Sequence, residues 1–220
     1  MSADNENYNN VSRFFHWGIA LLFIGLLSVG FYMVTMDPEP FKFKVYGWHK
    51  ATGITVLFFV LCRVVWKFIS KNPDALSHHK QWEKILSKTI HIVLYGAMIG
   101  MPLSGWIMSS AGGYPVSFFG LFEVPNIVSK DKELSRLANQ IHGYMGFTIL
   151  FCIGLHIIGA LKHHIFDKDR TLNRMGGHVA FGVIALLFLS IAFYFPAKGF
   201  ISNLMQSQSI ENSVSSSDSE

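Results

Sequence analysis

Long apolar runs restrict what this chain can fold into more than any other feature of its sequence. Five runs have close to the ~20 residues that a helix needs to cross a bilayer core, at positions 14–34, 51–69, 89–109, 142–161 and 178–195. Half of all residues are apolar and only 15% are charged, which is typical of a polytopic membrane protein. Five spans leave little chain for a soluble domain, so we expect one membrane domain with short loops.

Both ends of the chain are polar. Residues 1–10 lack the basic region that precedes a cleaved signal peptide, so we predict that the first run is a retained helix. The tail is rich in Ser, Asn and Gln and has no aromatic residue, which predicts disorder. We therefore divide the chain into a four-helix domain at 1–175, an additional transmembrane helix at 176–201 and a disordered polar tail at 202–220.

Basic residues are concentrated in two of the links between spans. The positive-inside rule places both links and the N-terminus in the cytoplasm, and five crossings then place the polar tail outside. Because topology accounts for these charges, we predict no nucleic-acid site. The basic residues are Arg63, Lys67, Lys71, Lys80, Lys84 and Lys88 in the second link, and Lys162, Lys168, Arg170 and Arg174 after the fourth span.

Histidines set into the apolar runs are the strongest functional signal, because ionisable side chains inside a membrane are costly. His142 and His156 lie fourteen residues apart on one run. Fourteen helical steps end about 40° short of four full turns and cover roughly 21 Å of axis, so both rings leave one helix face. One helix would thus offer an imidazole near each membrane surface, as two stacked haems require.

The predicted topology sorts five histidines into two depth layers. His49 and His142 lie in the outer layer, and His16, His91 and His156 lie in the inner layer. Two imidazoles that face each other across a bundle can bind one haem iron axially without a covalent link. On depth alone, the inner layer holds one histidine more than a haem needs.

Two of these histidines are followed by glycine four residues later. The pairs are His49 with Gly53 and His142 with Gly146. Residues four apart share a helix face, so each glycine removes a side chain that would block a macrocycle beside its histidine. Close helix packing is the alternative explanation for glycine in membrane helices.

Other uses of the histidines remain open at this point. They could be hydrogen-bonded between helices in a protein without redox chemistry. A zinc or copper site would need carboxylate or thiolate ligands at one depth, and the apolar runs contain no Asp or Glu. Cys62 and Cys152 lie far apart in two different runs, and the chain has no C-x-x-C-H motif for covalent haem.

Four stretches of the sequence resemble the bacterial di-haem cytochrome b561 family, which is related to the b-type cytochrome subunits of hydrogenases and formate dehydrogenases. They are SRFFHWGIALLF (12–23), HKATGI (49–54), MPLSGW (101–106) and the segment 142–175 that begins HGYMGFTILF. The resemblance implies an all-α membrane protein of the bacterial inner membrane, with a four-helix transmembrane bundle that holds two b haems. The fifth run, 178–195, departs from this pattern.

The resemblance also implies which histidines bind haem iron. By this likeness, His16 and His156 are the axial ligands of the inner haem, and His49 and His142 are those of the outer haem. His91 is then a non-ligand near a quinone or a haem propionate.

The implied function is transmembrane electron transfer through the two haems between a donor at one surface and a quinone. Some stand-alone members of the family suggest oxidation of superoxide coupled to ubiquinone reduction, which would make the chain an oxidoreductase. The alternative is a cytochrome b anchor subunit, an electron carrier that serves a docked dehydrogenase or hydrogenase. The expected partners are membrane lipid, quinone, and superoxide or a redox protein.

We predict the quinone region on the cytoplasmic side, near Trp17, His91 and His163. These polar or amphipathic groups gather at the inner haem, where a quinone tail could enter from the lipid. His78 and His79 lie in a polar loop, and we expect no role for them.

Overall fold

Four long helices make up most of the part of the chain that the structure describes. The computed structural model describes residues 7–71, 73 and 79–177, together with 182, 185, 186 and 189. Within this part of the chain, four helices are long and apolar enough to cross a membrane, so the chain is an integral membrane protein. They are α1 (Asn10–Val34), α2 (Pro40–Ile69), α3 (Gln81–Gly112) and α4 (Lys132–Ile165).

Local signals fix where the helices begin and end. The Asn9 side chain caps α1 by accepting from the Ser12 amide at 2.8 Å, and Asp131 caps α4 in the same way. Helix α2 starts at Pro40, whose fixed φ suits a first helical position. Helix α3 ends at Gly113, which has a φ of 76° that favours glycine.

The helices are longer than the apolar runs that predicted them. Helix α2 begins at residue 40 and α4 at residue 132, whereas the corresponding runs begin at 51 and 142. His49 and His142 therefore lie inside their helices, nine and ten residues from the first helical position. Charged residues such as Lys42 and Lys44 continue α2 beyond its apolar part.

Successive helices run in opposite directions, and backbone contacts join α1 to α2, α2 to α3 and α3 to α4. One end of the bundle holds His16 near the start of α1 and His156 near the end of α4; we call it the His16 end. The other end holds His49 and His142, and we call it the His49 end.

A short antiparallel hairpin interrupts the helical pattern between α3 and α4. Strands β1 (Val116–Phe118) and β2 (Phe122–Val124) pair with Val116 opposite Val124. Phe119 and Gly120, in the turn between them, have positive φ values of 50° and 79°. The sequence predicted only helices, so this hairpin is a departure from the all-α expectation.

A buried apolar layer separates the two ends of the bundle. It takes side chains from all four helices, among them Phe23, Val56, Ala97 and Ile149. Ile149 lies seven residues from both His142 and His156, at the middle of α4. Large apolar side chains cover the outside of the bundle, as expected for a surface in contact with lipid. Examples are Phe58, Phe68, Ile92, Phe151 and Ile158.

The segment after α4 folds back onto the start of α1. It contains a one-turn helix, α5 (Thr171–Arg174). The Arg174 carbonyl accepts from the Tyr8 amide at 3.2 Å and from the Arg13 guanidinium at 3.2 and 3.3 Å. These contacts close the His16 end of the bundle.

Two parts of the sequence prediction lie outside the described residues. They are the fifth transmembrane helix, apart from four separate positions within 178–195, and the polar tail at 202–220. Both stay predictions.

Replacement of Ile149 by alanine should destabilise the protein. The side chain is fully buried, and removal of its methyl and methylene groups leaves a cavity that costs about 2–5 kcal/mol. Ile158→Ala, on the exposed face of the same helix, is the matched control and should cost below about 0.5 kcal/mol. Unfolding in detergent, followed by circular dichroism, measures the difference; equal losses for the two variants would contradict the proposed central layer.

Candidate cofactor-binding site

The structure brings four of the predicted site histidines together as two pairs. The ring centroids of His16 and His156 lie 6.1 Å apart, with 64° between the ring planes. Those of His49 and His142 lie 6.3 Å apart, with 74° between the planes. The members of each pair come from different helices, and α4 contributes one ring to each pair.

Both separations suit a metal ion held between two imidazoles. A metal–imidazole bond is about 2.0 Å and the ring centroid lies about 1 Å farther away, so two axial rings on one iron have centroids about 6 Å apart. The rings are too far apart for a direct hydrogen bond between them or for stacking. Each pair therefore has the spacing that a bis-histidine haem requires.

Helix α3 holds the His142 ring from one side. Its Nδ1 lies 3.0 Å from the Met101 carbonyl and 3.0 Å from the Ser104 hydroxyl. A β-carbon added at Gly105 would come within 3.1 Å of the ring. A carbonyl that accepts from Nδ1–H leaves the Nε2 lone pair free to bind a metal.

His49 faces an apolar cavity. Its Nδ1 is buried and has no hydrogen-bond partner, and a β-carbon added at Gly53 would meet only open space. The open space beside Gly53 agrees with the role that the sequence suggested for this glycine. The cavity is lined by Phe23, Leu26, Leu27, His49, Gly53, Val56, Met101, Pro102 and His142.

An arginine contacts His16 at the other end of the bundle. Nη2 of Arg63, on α2, lies 3.2 Å from Nδ1 of His16, and Nε donates to the Tyr95 hydroxyl at 3.1 Å. Because arginine has no acceptor, His16 accepts this hydrogen bond. The guanidinium places a permanent positive charge beside the His16 and His156 pair.

His91 also lies beside this pair but at a different distance. Its ring centroid is 5.1 Å from that of His156, about 1 Å too short for an iron between the two rings. Its Nδ1 lies 2.7 Å from the Ser87 carbonyl of its own helix. The His91 side chain is exposed, so a small molecule can reach it.

Trp17 lies near the His16 pair, with its ring 5.0 Å from that of His16. Its indole N–H donates to the Met175 carbonyl at 3.0 Å. A β-carbon added at Gly177 would collide with the indole of Trp17, so the segment after α5 covers Trp17 closely. The indole N–H of Trp17 is thus already hydrogen-bonded within the protein.

The third residue of the predicted quinone region, His163, has different neighbours. Its ring stacks on that of His79 at 4.1 Å, and its Nδ1 lies 2.7 Å from Oδ2 of Asp167. Lys162 donates a hydrogen bond to Asp167 and thereby lowers the pKa of this carboxyl. His163 therefore belongs to a polar group at the tip of the His16 end.

Three residues of the site were not singled out by sequence reasoning. Met101, Ser104 and Gly105 support His142. They belong to the MPLSGW stretch, which carried part of the family resemblance but no assigned role. Their contact with His142 is made across the bundle, so spacing along the chain could not reveal it.

Comparisons with known proteins agree with this architecture. A family model described as "Prokaryotic cytochrome b561" matches residues 7–178. "Cytochrome b561 homolog 2" of Escherichia coli (strain K12) is 32% identical over 173 residues, which are 78% of this chain and 92% of the relative. "Cytochrome b561 homolog 1" of the same strain is 27% identical, over 77% of this chain and 97% of the relative. A "Probable superoxide oxidase CybB" of Yersinia pestis is 25% identical, over 78% and 96%.

Replacement of Gly53 by leucine should lower the haem content by one haem per chain. The new side chain would enter the cavity between His49 and His142, where a macrocycle needs the space. The pyridine haemochrome measures haem per chain relative to the wild-type protein. Gly96→Leu is the matched control, because Gly96 is exposed and also has nothing near its β-carbon. Wild-type haem content in Gly53→Leu would show that this cavity is not a haem site.

Proposed function

Because the chain belongs to the prokaryotic cytochrome b561 family, whose members transfer electrons across membranes and bind b-type haem, we propose that it holds two b haems, one at each end of the bundle, and delivers electrons to a quinone. The observation that carries this proposal is the pair of imidazole separations, 6.1 and 6.3 Å. A haem bound between two histidines supplies one-electron redox chemistry and has no open iron position for oxygen.

The proposed ligands at the His49 end are His49 and His142. The Met101 carbonyl and the Ser104 hydroxyl hold the His142 ring in one orientation. His49 contributes a half-buried side chain whose Nδ1 is buried and has no hydrogen-bond partner among the residues that the structure describes. Apolar side chains line the remainder of the cavity and keep water away from the site.

The proposed ligands at the His16 end are His16 and His156. A neutral imidazole that binds iron through Nε2 carries its proton on Nδ1, so Arg63 cannot then donate to Nδ1 of His16. Its guanidinium would be available to a carboxylate group of the haem instead, the type of partner that arginine binds best. The nearby Lys67 amine, 4.6 Å from the Tyr95 ring centroid, adds a second positive charge there.

We place the quinone at the His16 end, beside His91. This imidazole is exposed, and its ring centroid lies 5.1 Å from that of His156, so a quinone head group could contact it while the tail stays in the bilayer. Trp17 lies at the same end, but its N–H is already bound to Met175. The proposal rests on His91 and does not need a contact with His163.

We place the electron donor at the His49 end and favour superoxide. The Yersinia pestis relative is named a probable superoxide oxidase. Lys50, next to His49, offers a positive charge that would attract the anion, and its Nζ lies 3.2 Å from the Tyr114 carbonyl. Two superoxide anions would each lose one electron and leave as O2, and the quinone would take up two electrons and two protons.

The predicted topology assigns the two ends to the two sides of a bacterial inner membrane. The basic links of the sequence put the His16 end in the cytoplasm and the His49 end outside. Protons for the quinol would then come from the cytoplasm, and superoxide would arrive from outside.

His91→Ala should leave both haems in place and weaken quinone binding. The ring is too close to His156 to share an iron with it, whereas His156→Ala should lose one haem. Loss of one hydrogen bond to the quinone should raise KM roughly fivefold. Haem content and quinone-reduction kinetics measure the two effects, with His164→Ala as the control at the same end. Loss of a haem from His91→Ala would contradict the ligand assignment, and an unchanged KM would contradict the quinone site.

Superoxide should drive quinol formation by the haem-loaded protein, and superoxide dismutase should abolish it. Lys50→Gln should lower the rate and its dependence on salt, whereas Lys50→Arg keeps the charge and should retain both. Absence of superoxide-dependent quinol formation, together with co-purification of a soluble dehydrogenase or hydrogenase, would favour the anchor-subunit alternative.

A further inference from the structure

Three metal-ligating side chains meet at the tip of the His16 end, away from the proposed haem ligands. His79 lies just before α3, His163 in the last turn of α4, and Asp169 between α4 and α5. Their side chains are largely shielded from solvent, with exposed fractions of 13%, 14% and 4%. A carboxylate buried to this extent needs a strong positive or hydrogen-bonding partner.

The ligand atoms of the three side chains converge on one point. Oδ2 of Asp169 lies 2.8 Å from Nε2 of His79 and 3.2 Å from Nδ1 of His163. All of the ligand atoms lie within 4.8 Å of one another. The two imidazole rings stack, with 28° between their planes, and one nitrogen of each ring lies beside the same carboxylate oxygen. Because the lone pair of an imidazole nitrogen lies in the ring plane, the two rings have to tilt apart to bind one ion.

Hydrogen bonds account for only part of this arrangement. Nε2 of His79 is within hydrogen-bond distance of Oδ2 of Asp169, at 2.8 Å. Nδ1 of His163 is buried and forms no properly directed hydrogen bond with the residues that the structure describes, although Oδ2 of Asp167 lies 2.7 Å away. The other oxygen of Asp169 is occupied, because Oδ1 accepts from the Thr171 amide at 2.7 Å. Asp169 is therefore held in place with its Oδ2 directed at the two imidazoles.

We propose that His79, His163 and Asp169 bind a divalent transition-metal ion, for which Zn²⁺ is the appropriate probe. Two imidazoles and one carboxylate, without a thiolate, suit zinc and its neighbours in the first row. At metal–ligand distances of about 2.0–2.2 Å, tetrahedral ligand atoms lie about 3.3 Å apart. The 3.2 Å between Nδ1 of His163 and Oδ2 of Asp169 already matches this value. The 2.8 Å between Nε2 of His79 and the same oxygen has to increase by about 0.5 Å. Water would fill the remaining position.

The ion would connect three separate segments of the chain. It would bind the end of the α2–α3 connection to the last turn of α4 and to Asp169, whose Oδ1 accepts from the first amide of α5. Helix α5 in turn contacts the start of α1 through the Arg174 carbonyl, and Met175 accepts from Trp17. Bound metal would therefore stabilise the cover over the His16 end, beside His16 and the proposed quinone region.

Zinc titration of the full-length haem-loaded protein tests the site. The protein, without a histidine tag, is stripped with a chelator and titrated with Zn²⁺ against a chromophoric competitor in detergent. We expect one Zn²⁺ per chain with micromolar or tighter affinity, and a Tm that rises with Zn²⁺. His79→Ala and Asp169→Asn should each weaken the affinity by at least about tenfold and abolish the rise in Tm.

His164→Ala is the matched control, because this histidine is next to His163 in the chain and is not part of the cluster. It should keep the affinity and the rise in Tm. Circular dichroism and haem content establish that each variant is folded, and His79, which lies outside the helices, is the variant least able to disturb them. Wild-type affinity in both His79→Ala and Asp169→Asn, or failure of the wild-type protein to bind micromolar Zn²⁺, would overturn the proposal.

Discussion

The free-energy cost of placing an imidazole side chain inside a bilayer is the constraint on which this structure depends. An imidazole inside the hydrocarbon region needs a partner within the protein, because no water is present to hydrogen-bond it. Helix α4 presents two such rings on one face, fourteen residues apart, and the bundle supplies His49 opposite His142 and His16 opposite His156. The arrangement of the other helices follows from the need to bring these rings together.

Apolar packing keeps the two pairs apart and in position. Ile149, at equal distance along α4 from His142 and His156, is fully buried and meets Phe23, Val56 and Ala97 in one layer. Helix α3 fixes the orientation of one ring at the His49 end, because its Met101 carbonyl and Ser104 hydroxyl both contact Nδ1 of His142. The two ends can thus hold similar groups without sharing a cavity.

The two ends of the bundle differ in the polar groups that surround their histidine pairs, so the bundle is asymmetric along its length. At the His16 end, Arg63 contacts a histidine of the pair, and His91 is exposed beside it. At the His49 end, the cavity is apolar apart from the two imidazoles that line it. This asymmetry is the reason for our proposal that a quinone binds at the His16 end. The charged cluster around His163 and Asp169 lies beyond it, where α5 closes the bundle.

The sequence by itself determined the membrane class, four of the spans and the histidine spacing on α4, because each depends on composition or on helical period along one segment. It missed the first eleven residues of α2 and the short hairpin after α3, because charged residues continue α2 from Pro40 and three-residue strands leave almost no periodic signal. Depth along the membrane normal is one coordinate, and it left His16 and His91 as equal candidates beside His156; the family resemblance, and not the spacing, favoured His16. The tertiary structure decided the distances of the two rings from His156, 6.1 and 5.1 Å, and brought His79 to Asp169, because position around the bundle axis is set by how the helices pack.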